Sequence, residues 1–342
     1  MSTINEIAAL AGVSKSTVSR VLNNSGYVSP HVRSRVEQII HEKNYAPSAL
    51  AVNLSKGETR TIGVLVPELD NAFFSEILKG IVEISDKSGF STICCDTQNS
   101  ALKEASTLQH LMQQRIRGLI ITPAEEYTSA KDVARLEHLF GQLNVPIVVV
   151  DRHLDKIQLD GVYYENVESG YLAAKTLIEA GNKRLGIITG DLSLRIARDR
   201  YQGARQAILD AGLTLEDQFV FQGDFRVTTA YQLSSKMFQR GVYPEAIITS
   251  NNRTSLGFLR AAHEHDIKIG KDIAVIGIDR IEVLDILDYK FSCVTRDVHE
   301  MGRTAMSLLL ARIADENAAH KTHSIPCQVV LRGSERTART AP

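Results

Sequence analysis

Two sets of side chains in this sequence have the types and spacing to do chemistry. The first is Ser14-Lys15-Ser16-Thr17 followed by Ser19-Arg20. Hydroxyls gathered at a helix start suit phosphate oxygens, because the unpaired N–H groups there point at an anion, and a long donor at that exposed start reaches base edges. The second set is Asn71-Ala72-Phe73-Phe74, Asp151-Arg152, Arg200-Tyr201-Gln202-Gly203, Asn251-Asn252 and Asp279, with Phe225 after Gly223-Asp224. Planar donors and acceptors of this kind satisfy the vicinal hydroxyls of a sugar, and an aromatic face covers the C–H side of its ring. Nothing comparable supports catalysis. There is no GxGxxG after the first apolar strand, no GxxxxGK[ST], no GxSxG and no HExxH, and His263 and His265 sit in an ordinary polar helix end.

Helices must carry the first set. Residues 4 to 11 read as a short helix with Thr3 as its N-cap, Ile4, Ile7 and Ala8 on one face and Gly12 at its end. Ser14 caps a second helix, Lys15 to Leu22, whose Val18, Val21 and Leu22 form an apolar stripe while Lys15, Ser16, Ser19 and Arg20 face away. A third, from about His31 to Lys43, adds Val32, Val36, Ile39 and Ile40, with Tyr45 behind it. Two short helices across a glycine turn make a helix-turn-helix pattern, and the third closes a minimal core. Residues 1–60 hold seven Lys or Arg against four Glu, which puts +3 here and −4 on the rest of a chain of net charge −1. That asymmetry points to a polyanionic partner.

A parallel sheet must carry the second set. From Thr61 onward apolar strands alternate with amphipathic helices: Ile62 to Val66, Thr92 to Cys95, Gly118 to Thr122 and Ile147 to Val150, then again Leu185 to Thr189, Phe219 to Gln222, Ala246 to Thr249 and Ala274 to Ile278. Two such series imply an α/β core of two doubly wound subdomains with a cleft where the carboxyl ends of their strands meet. The 342 residues, 44% hydrophobic and 23% charged, suit a globular protein of more than one domain. No run of about 18 apolar residues would span a bilayer, and the polar start (Ser2, Thr3, Asn5) lacks the pattern of a secretory leader, so a cytosolic protein without membrane association is expected. Cys94, Cys95, Cys293 and Cys327 have no CxxC spacing and read as buried, reduced thiols rather than metal ligands.

The segment Ala11-Gly12-Val13-Ser14-Lys15-Ser16-Thr17-Val18-Ser19-Arg20-Val21-Leu22 closely resembles the helix-turn-helix of the lac repressor family. The resemblance continues through Tyr45-Ala46-Pro47 and covers essentially the whole chain. It implies a three-helix head at 1–46, a hinge helix and linker at 47–60, and a periplasmic-binding-protein-like core at 61–342. The expected subdomains are about 61–151 with 293–322, and about 162–280 with 324–335. In that pattern Lys15, Ser16 and Arg20 read bases, while Thr3, Ser14, Thr17, Ser19 and Asn23 hold phosphates. Leu54 wedges into a central base step, and Ala51 lets the partner's hinge approach. Ser48 departs from the Asn common in the family, although serine is also a residue type that can cap a helix.

By the same resemblance Asn71, Phe73, Phe74, Asp151, Arg152, Arg200, Phe225, Asn251 and Asp279 contact a small-molecule effector. Asn252 stands where the family often has Asp, and Arg280 where a second acidic residue often follows. With Arg152, Arg195, Arg198 and Arg200 nearby, these departures make the cleft more cationic than the family's pattern, open to a sugar or a sugar phosphate. The tail after Arg332 has no leucine heptads, so a homodimer on a pseudo-palindromic operator is expected rather than a tetramer. The implied protein is a DNA-binding repressor with no cofactor, no metal and no catalytic residues. A periplasmic sugar receptor, the other reading the core permits, is opposed by the basic helical head.

Overall fold

The structure, a computed structural model, describes residues 3–22, 24–45 and 59–337. Asn23, Ala51, Leu54 and nearly all of the 47–60 segment lie outside the described residues. The chain forms two compact units, Met1–Thr59 and Arg60–Pro342.

In the first unit, helices α1 (Ile4–Ala11), α2 (Lys15–Leu22) and α3 (Pro30–Glu42) enclose Ile7, Ala8, Ala11, Val18, Val21 and Val36. Local chemistry sets their ends. Thr3 and Glu6 form a reciprocal cap on α1: the Glu6 N–H donates to the Thr3 hydroxyl at 3.3 Å and the Thr3 N–H donates to the Glu6 carboxylate at 3.1 Å. Gly12 ends α1 at a φ of 66°, a left-handed conformation that costs glycine nothing. The Thr17 N–H then donates to the Ser14 hydroxyl at 3.2 Å, capping α2. The third helix starts at Pro30, one residue before the expected His31, because proline's fixed φ suits the first helical position.

The second unit holds two six-stranded sheets. The first comprises β1 (Thr61–Val66), β2 (Ser91–Asp96), β3 (Gly118–Ile121), β4 (Ile147–Val150), β5 (Asp160–Tyr164) and β11 (Thr322–Ile325), in the order β11-β5-β4-β3-β1-β2. The second comprises β6 (Leu185–Ile188), β7 (Val220–Phe221), β8 (Ala246–Thr249), β9 (Ala274–Ile278), β10 (Ser292–Arg296) and β12 (Cys327–Val330), in the order β12-β10-β9-β8-β6-β7. All pairings are parallel except β10 with β12. Helices cover both faces of each sheet, which is why the central strands are apolar throughout instead of alternating. The first sheet packs against α4 (Ala72–Lys87) and α12 (Val298–Ala314) on one face and α5 (Ala101–Gln113) and α6 (Ala130–Leu143) on the other. For the second sheet the layers are α7 (Asn166–Glu179) with α8 (Arg195–Asp210), and α9 (Val227–Gln239) with α10 (Asn252–Glu264); a short α11 (Glu282–Ile286) follows β9.

The chain passes between the sheets three times, after Tyr164, Arg296 and Ile325, and this corrects the expected partition of the core. Residues 160–164 join the first sheet, through Val162 beside Val150, and not the second. Residues 292–296 join the second, through Val294 beside Ile278, while Ser324 and Ile325 pair with β5 in the first. Sheet membership is decided by a partner far away in sequence, which local pattern does not carry. The expected Phe219–Gln222 strand is shorter: Asp217–Phe219 is a 3-10 turn, and only Val220–Phe221 pair. All four cysteines are free, but only Cys293 is buried. Cys94 is exposed because β2 is an edge strand.

The layer beneath the first sheet contains a titratable contact. His299 of α12 stands between Glu76 and Glu83 of α4, its Nδ1 3.0 Å and its Nε2 2.8 Å from their carboxylates. Glu83 and Glu76 hold the imidazole's pKa above its usual 6.5, while Lys79 and Lys87 on α4 and Arg303 on α12 share the two carboxylates. The folded pKa is raised, so the stabilisation is complete below pH 6.5 and is lost as pH rises through the folded value. Thermal midpoints of the parent and His299→Gln should therefore converge as pH rises from 6 to 8.5. A constant difference across that range would remove the imidazolium from the account.

Candidate nucleic-acid interface and ligand cleft

On the head, Lys15, Ser16 and Arg20 are exposed, whereas Val18 and Val21 of the same helix are buried. The Ser14 hydroxyl lies 2.7 Å from that of Ser16 and 2.9 Å from that of Thr17, so three hydroxyls cluster on the first turn of α2. Thr3 is exposed at the start of α1, and Thr17 and Ser19 are half-buried. This face offers an amine, hydroxyls and helix-terminal N–H groups side by side, the donors that phosphate and base edges accept from.

In the second unit a cavity of ≈ 430 Å³ opens between the two sheets, and all nine expected effector residues lie on its wall. The first subdomain supplies Asn71, which caps α4 by accepting from the Phe73 N–H at 3.1 Å, then Phe73 and Phe74 in the helix's first turn. Phe74 is buried in the core, and Phe73 stands edge-on to it with ring centres 5.0 Å apart. Asp151 and Arg152 follow β4. From the second subdomain come Arg200 on α8, Asn251 as the cap of α10, Asp279 after β9, and Phe225. Three of these residues are held at positive φ: Asp151 at 66°, Phe225 at 65° and Asp279 at 78°. Such backbone strain, greatest for a bulky Phe, persists where surrounding structure enforces it and concentrates at functional sites. The Phe225 ring lies over Gly190, whose missing side chain makes the room: a Cβ there would come within 2.0 Å of the ring.

Arg296, the last residue of β10, is a wall residue that the sequence reading missed. Its guanidinium donates to Asp279 at 2.5 Å, its side chain is 1% exposed, and it lies 4.3 Å from the ring centre of Tyr164 and 5.7 Å from that of Phe73. Its Nε and Nη1 are buried without a protein acceptor, as is the Nε of Arg152, and Asp151 Oδ1 is buried without a donor. Arg200 donates from Nε to Asn166 at 2.9 Å and from Nη1 to the Ser250 carbonyl at 2.7 Å. Burial, and then the like charge of Arg296, push its pKa down to about 10, with Asp279 and Asp151 opposing, so it remains charged at neutral pH. Burial also works against the charge of Arg296, but Asp279 and Tyr164 outweigh it and its pKa rises.

The added positive charge expected in the cleft from the sequence is corrected here. Arg280 is 62% exposed and paired with Asp285 at 2.5 Å. Arg195 bonds Asp155 at 2.7 Å, Arg198 bonds Glu126 at 2.8 Å, and none of the three lines the cavity. Asn252 lines the cavity and donates to Asn71 at 3.0 Å across it, and being neutral it adds no positive charge. The wall carries Arg152, Arg200, Arg226 and Arg296 against six carboxylates: Glu68, Glu125, Asp151, Asp191, Asp224 and Asp279. Among the described residues no group of three His, Cys, Asp or Glu is placed to hold a metal, and no helix is long and apolar enough to cross a membrane.

Residues 3–48 match the bacterial regulatory proteins of the lacI family, and residues 59–332 match the periplasmic binding proteins and sugar binding domain of the LacI family. The chain belongs to the LacI family. It is 32% identical over 334 residues to the HTH-type transcriptional repressor PurR of Aliivibrio salmonicida, covering 98% of this chain and 99% of that one. It is 31% identical over 334 residues to the ribose operon repressor of Escherichia coli K12, covering 98% and 100%. Among solved structures, a lac repressor dimer bound to operator and the anti-inducer ONPF superposes with a TM-score of 0.86 at 25% identity over 98% of this chain and 99% of that one. The transcriptional regulator CelR–cellobiose complex superposes at 0.72 and 26% identity, covering 98% and 100%. The protein is thus a LacI-family DNA-binding regulator with a helix-turn-helix head and a core of two parallel-sheet subdomains; its relatives are repressors, not enzymes.

Proposed function

We propose that the protein is a transcriptional repressor that grips a pseudo-palindromic operator as a homodimer, and that an uncharged sugar in the cleft sets the strength of the grip. Lys15, Ser16 and Arg20 read base edges; Thr3, Ser14, Thr17, Ser19 and Asn23 contact phosphates. Residues 47–60 form the hinge, with Ala51 and Leu54 at the central base step. One short recognition helix reads too few bases for useful specificity, and two-fold symmetry doubles them. A DNA-bound role places the protein in the cytosol.

A single observation carries the ligand half. Arg296 presents buried donors without acceptors, and Asp151 presents a buried acceptor without a donor, on the wall of one cavity. A hydroxyl satisfies both kinds of group at once, because it accepts and donates. A phosphate satisfies the guanidinium alone and meets a surplus of carboxylates. The ribose named in one relative and the cellobiose bound in one neighbour are both uncharged sugars of this chemistry.

Selection of duplexes from a random pool by the full chain tests the DNA half. The expected result is a consensus with two-fold symmetry, bound with an affinity that falls steeply with salt as phosphate contacts release counterions. Failure to enrich any sequence would overturn the reading.

A further inference from the structure

One buried carboxylate belongs to neither the DNA-binding face nor the ligand wall. Glu104 of α5 is 1% exposed. It accepts from the Ala124 N–H at 2.6 Å and from the Tyr127 hydroxyl, so its two partners lie three residues apart in the loop after β3. Burial pushes its pKa up while these two donors oppose the rise. The same loop is held from its other side. Arg152 donates from Nη1 to the Pro123 carbonyl at 3.0 Å and to the Ala124 carbonyl at 2.7 Å, and from Nη2 to Asn99 at 2.7 Å. Those bonds occupy both terminal nitrogens, and the nitrogen left buried without a partner is Nε, on a residue that lines the cavity.

The loop therefore stands between an acid behind it and a guanidinium in front. The Pro123–Ala124 peptide is the shared element: its N–H is fixed by Glu104 and its carbonyl by Arg152. A carbonyl and the N–H of the next residue lie in one planar peptide unit, so fixing the Ala124 N–H aims the Pro123 carbonyl. Interior carboxylates are expensive, and one retained at 1% exposure with both bonds made to a single loop has that loop as its evident task.

We propose that Glu104 is a positioning residue for ligand selectivity: by pinning Ala124 and Tyr127 it aims Arg152 Nε at one hydroxyl of the bound ring. This rests on the reading of the cleft as a sugar site. Glu104 touches no ligand; it acts through the loop carbonyls that hold Arg152. Its removal frees the guanidinium to turn, and the site no longer distinguishes a ring that carries the hydroxyl from one that lacks it.

The experiment measures binding of D-ribose, D-glucose, D-cellobiose and the monodeoxy derivatives of whichever binds, by calorimetry on the full-length parent, Glu104→Leu and Glu104→Gln. In the parent, deleting the hydroxyl that meets Arg152 should weaken binding on the order of tenfold to a hundredfold. In Glu104→Leu that particular penalty should shrink to about threefold or less while the penalties for the other hydroxyls persist, a pattern that general destabilisation would not produce. Glu104→Gln, whose amide oxygen still accepts from Ala124 and whose amide nitrogen can donate to Tyr127, should restore the parent's pattern. If the leucine variant does not fold, Tyr127→Phe, which removes one of the two ties, should show the same selective loss in smaller measure. An unchanged set of penalties in the folded variants overturns the positioning role and leaves the sugar reading standing. Binding of none of the sugars by the parent overturns both.

Discussion

Replacing Arg200 with alanine is expected to abolish sugar binding and to destabilise the core at the same time. The guanidinium is buried, ties Asn166 at the start of α7 to the Ser250 carbonyl after β8, and lies 5.8 Å from the Phe225 ring centre. Removing it strands two acceptors and leaves the Asp151 and Asp279 carboxylates with one fewer opposing charge. Breaking a buried, hydrogen-bonded charge network in this way costs roughly 3–5 kcal/mol. Thermal denaturation of the isolated variant should show that loss, and calorimetry should show no heat with any sugar that binds the parent. The head's residues lie in the other compact unit, so operator affinity without ligand should survive wherever the variant is folded. An Arg200→Ala protein with the parent's midpoint and the parent's sugar affinity would contradict the site as described.

The second large effect is expected from Lys15→Ala. Lys15 is exposed at the first position of α2 and takes no part in the head's core, so the head's stability should hold and only recognition should change. A lost base contact costs about 1–3 kcal/mol, and a homodimer loses it twice, so the operator should bind roughly 30-fold to 25,000-fold more weakly. Affinities for the consensus and for each single-base variant, at one salt concentration, check this. Relaxed preference at one symmetric pair of positions is the signature of base reading. A uniform loss across all variants would make Lys15 a phosphate contact instead.

How far the sequence announced these sites follows from how local each signal is. The ends of α1 and α2 were legible because Thr3, Gly12 and Ser14 act within one turn of chain. The central strands were legible as apolar runs, because both faces of a parallel sheet are covered. Strands β5, β10, β11 and β12 were not. They are short or carry Asp160, Thr295, Arg296 and His323, and only distant partners make them strands. That blind spot hid Arg296, which lies beyond the last strand the pattern revealed. The misjudged arginines have equally physical causes. Arg198 and Arg200 are two residues apart on α8, about 200° around the helix, so the two cannot line the same wall, and Arg198 instead donates to Glu126 in the loop after β3. Asp279 has a φ of 78°, and the turn it makes delivers the next side chain, Arg280, to Asp285 at the surface. Glu104 gave no signal at all, because a Glu inside a helical pattern reads as a solvated position until its partners in the loop after β3 are seen.

The most direct test of the whole account is operator affinity as a function of cleft occupancy: the full chain titrated onto its selected duplex, by fluorescence anisotropy at fixed salt, with and without a sugar that calorimetry shows to bind. Coupling between such sites amounts to about 1–3 kcal/mol, so saturating the cleft should change operator affinity by roughly 5-fold to 150-fold. The same reciprocity requires the duplex to change the affinities of the dimer's two sugar sites by factors whose product equals that change. Identical operator affinity with the cleft empty and full would contradict the account, leaving a DNA-binding head and a sugar-binding core that share a chain without controlling one another.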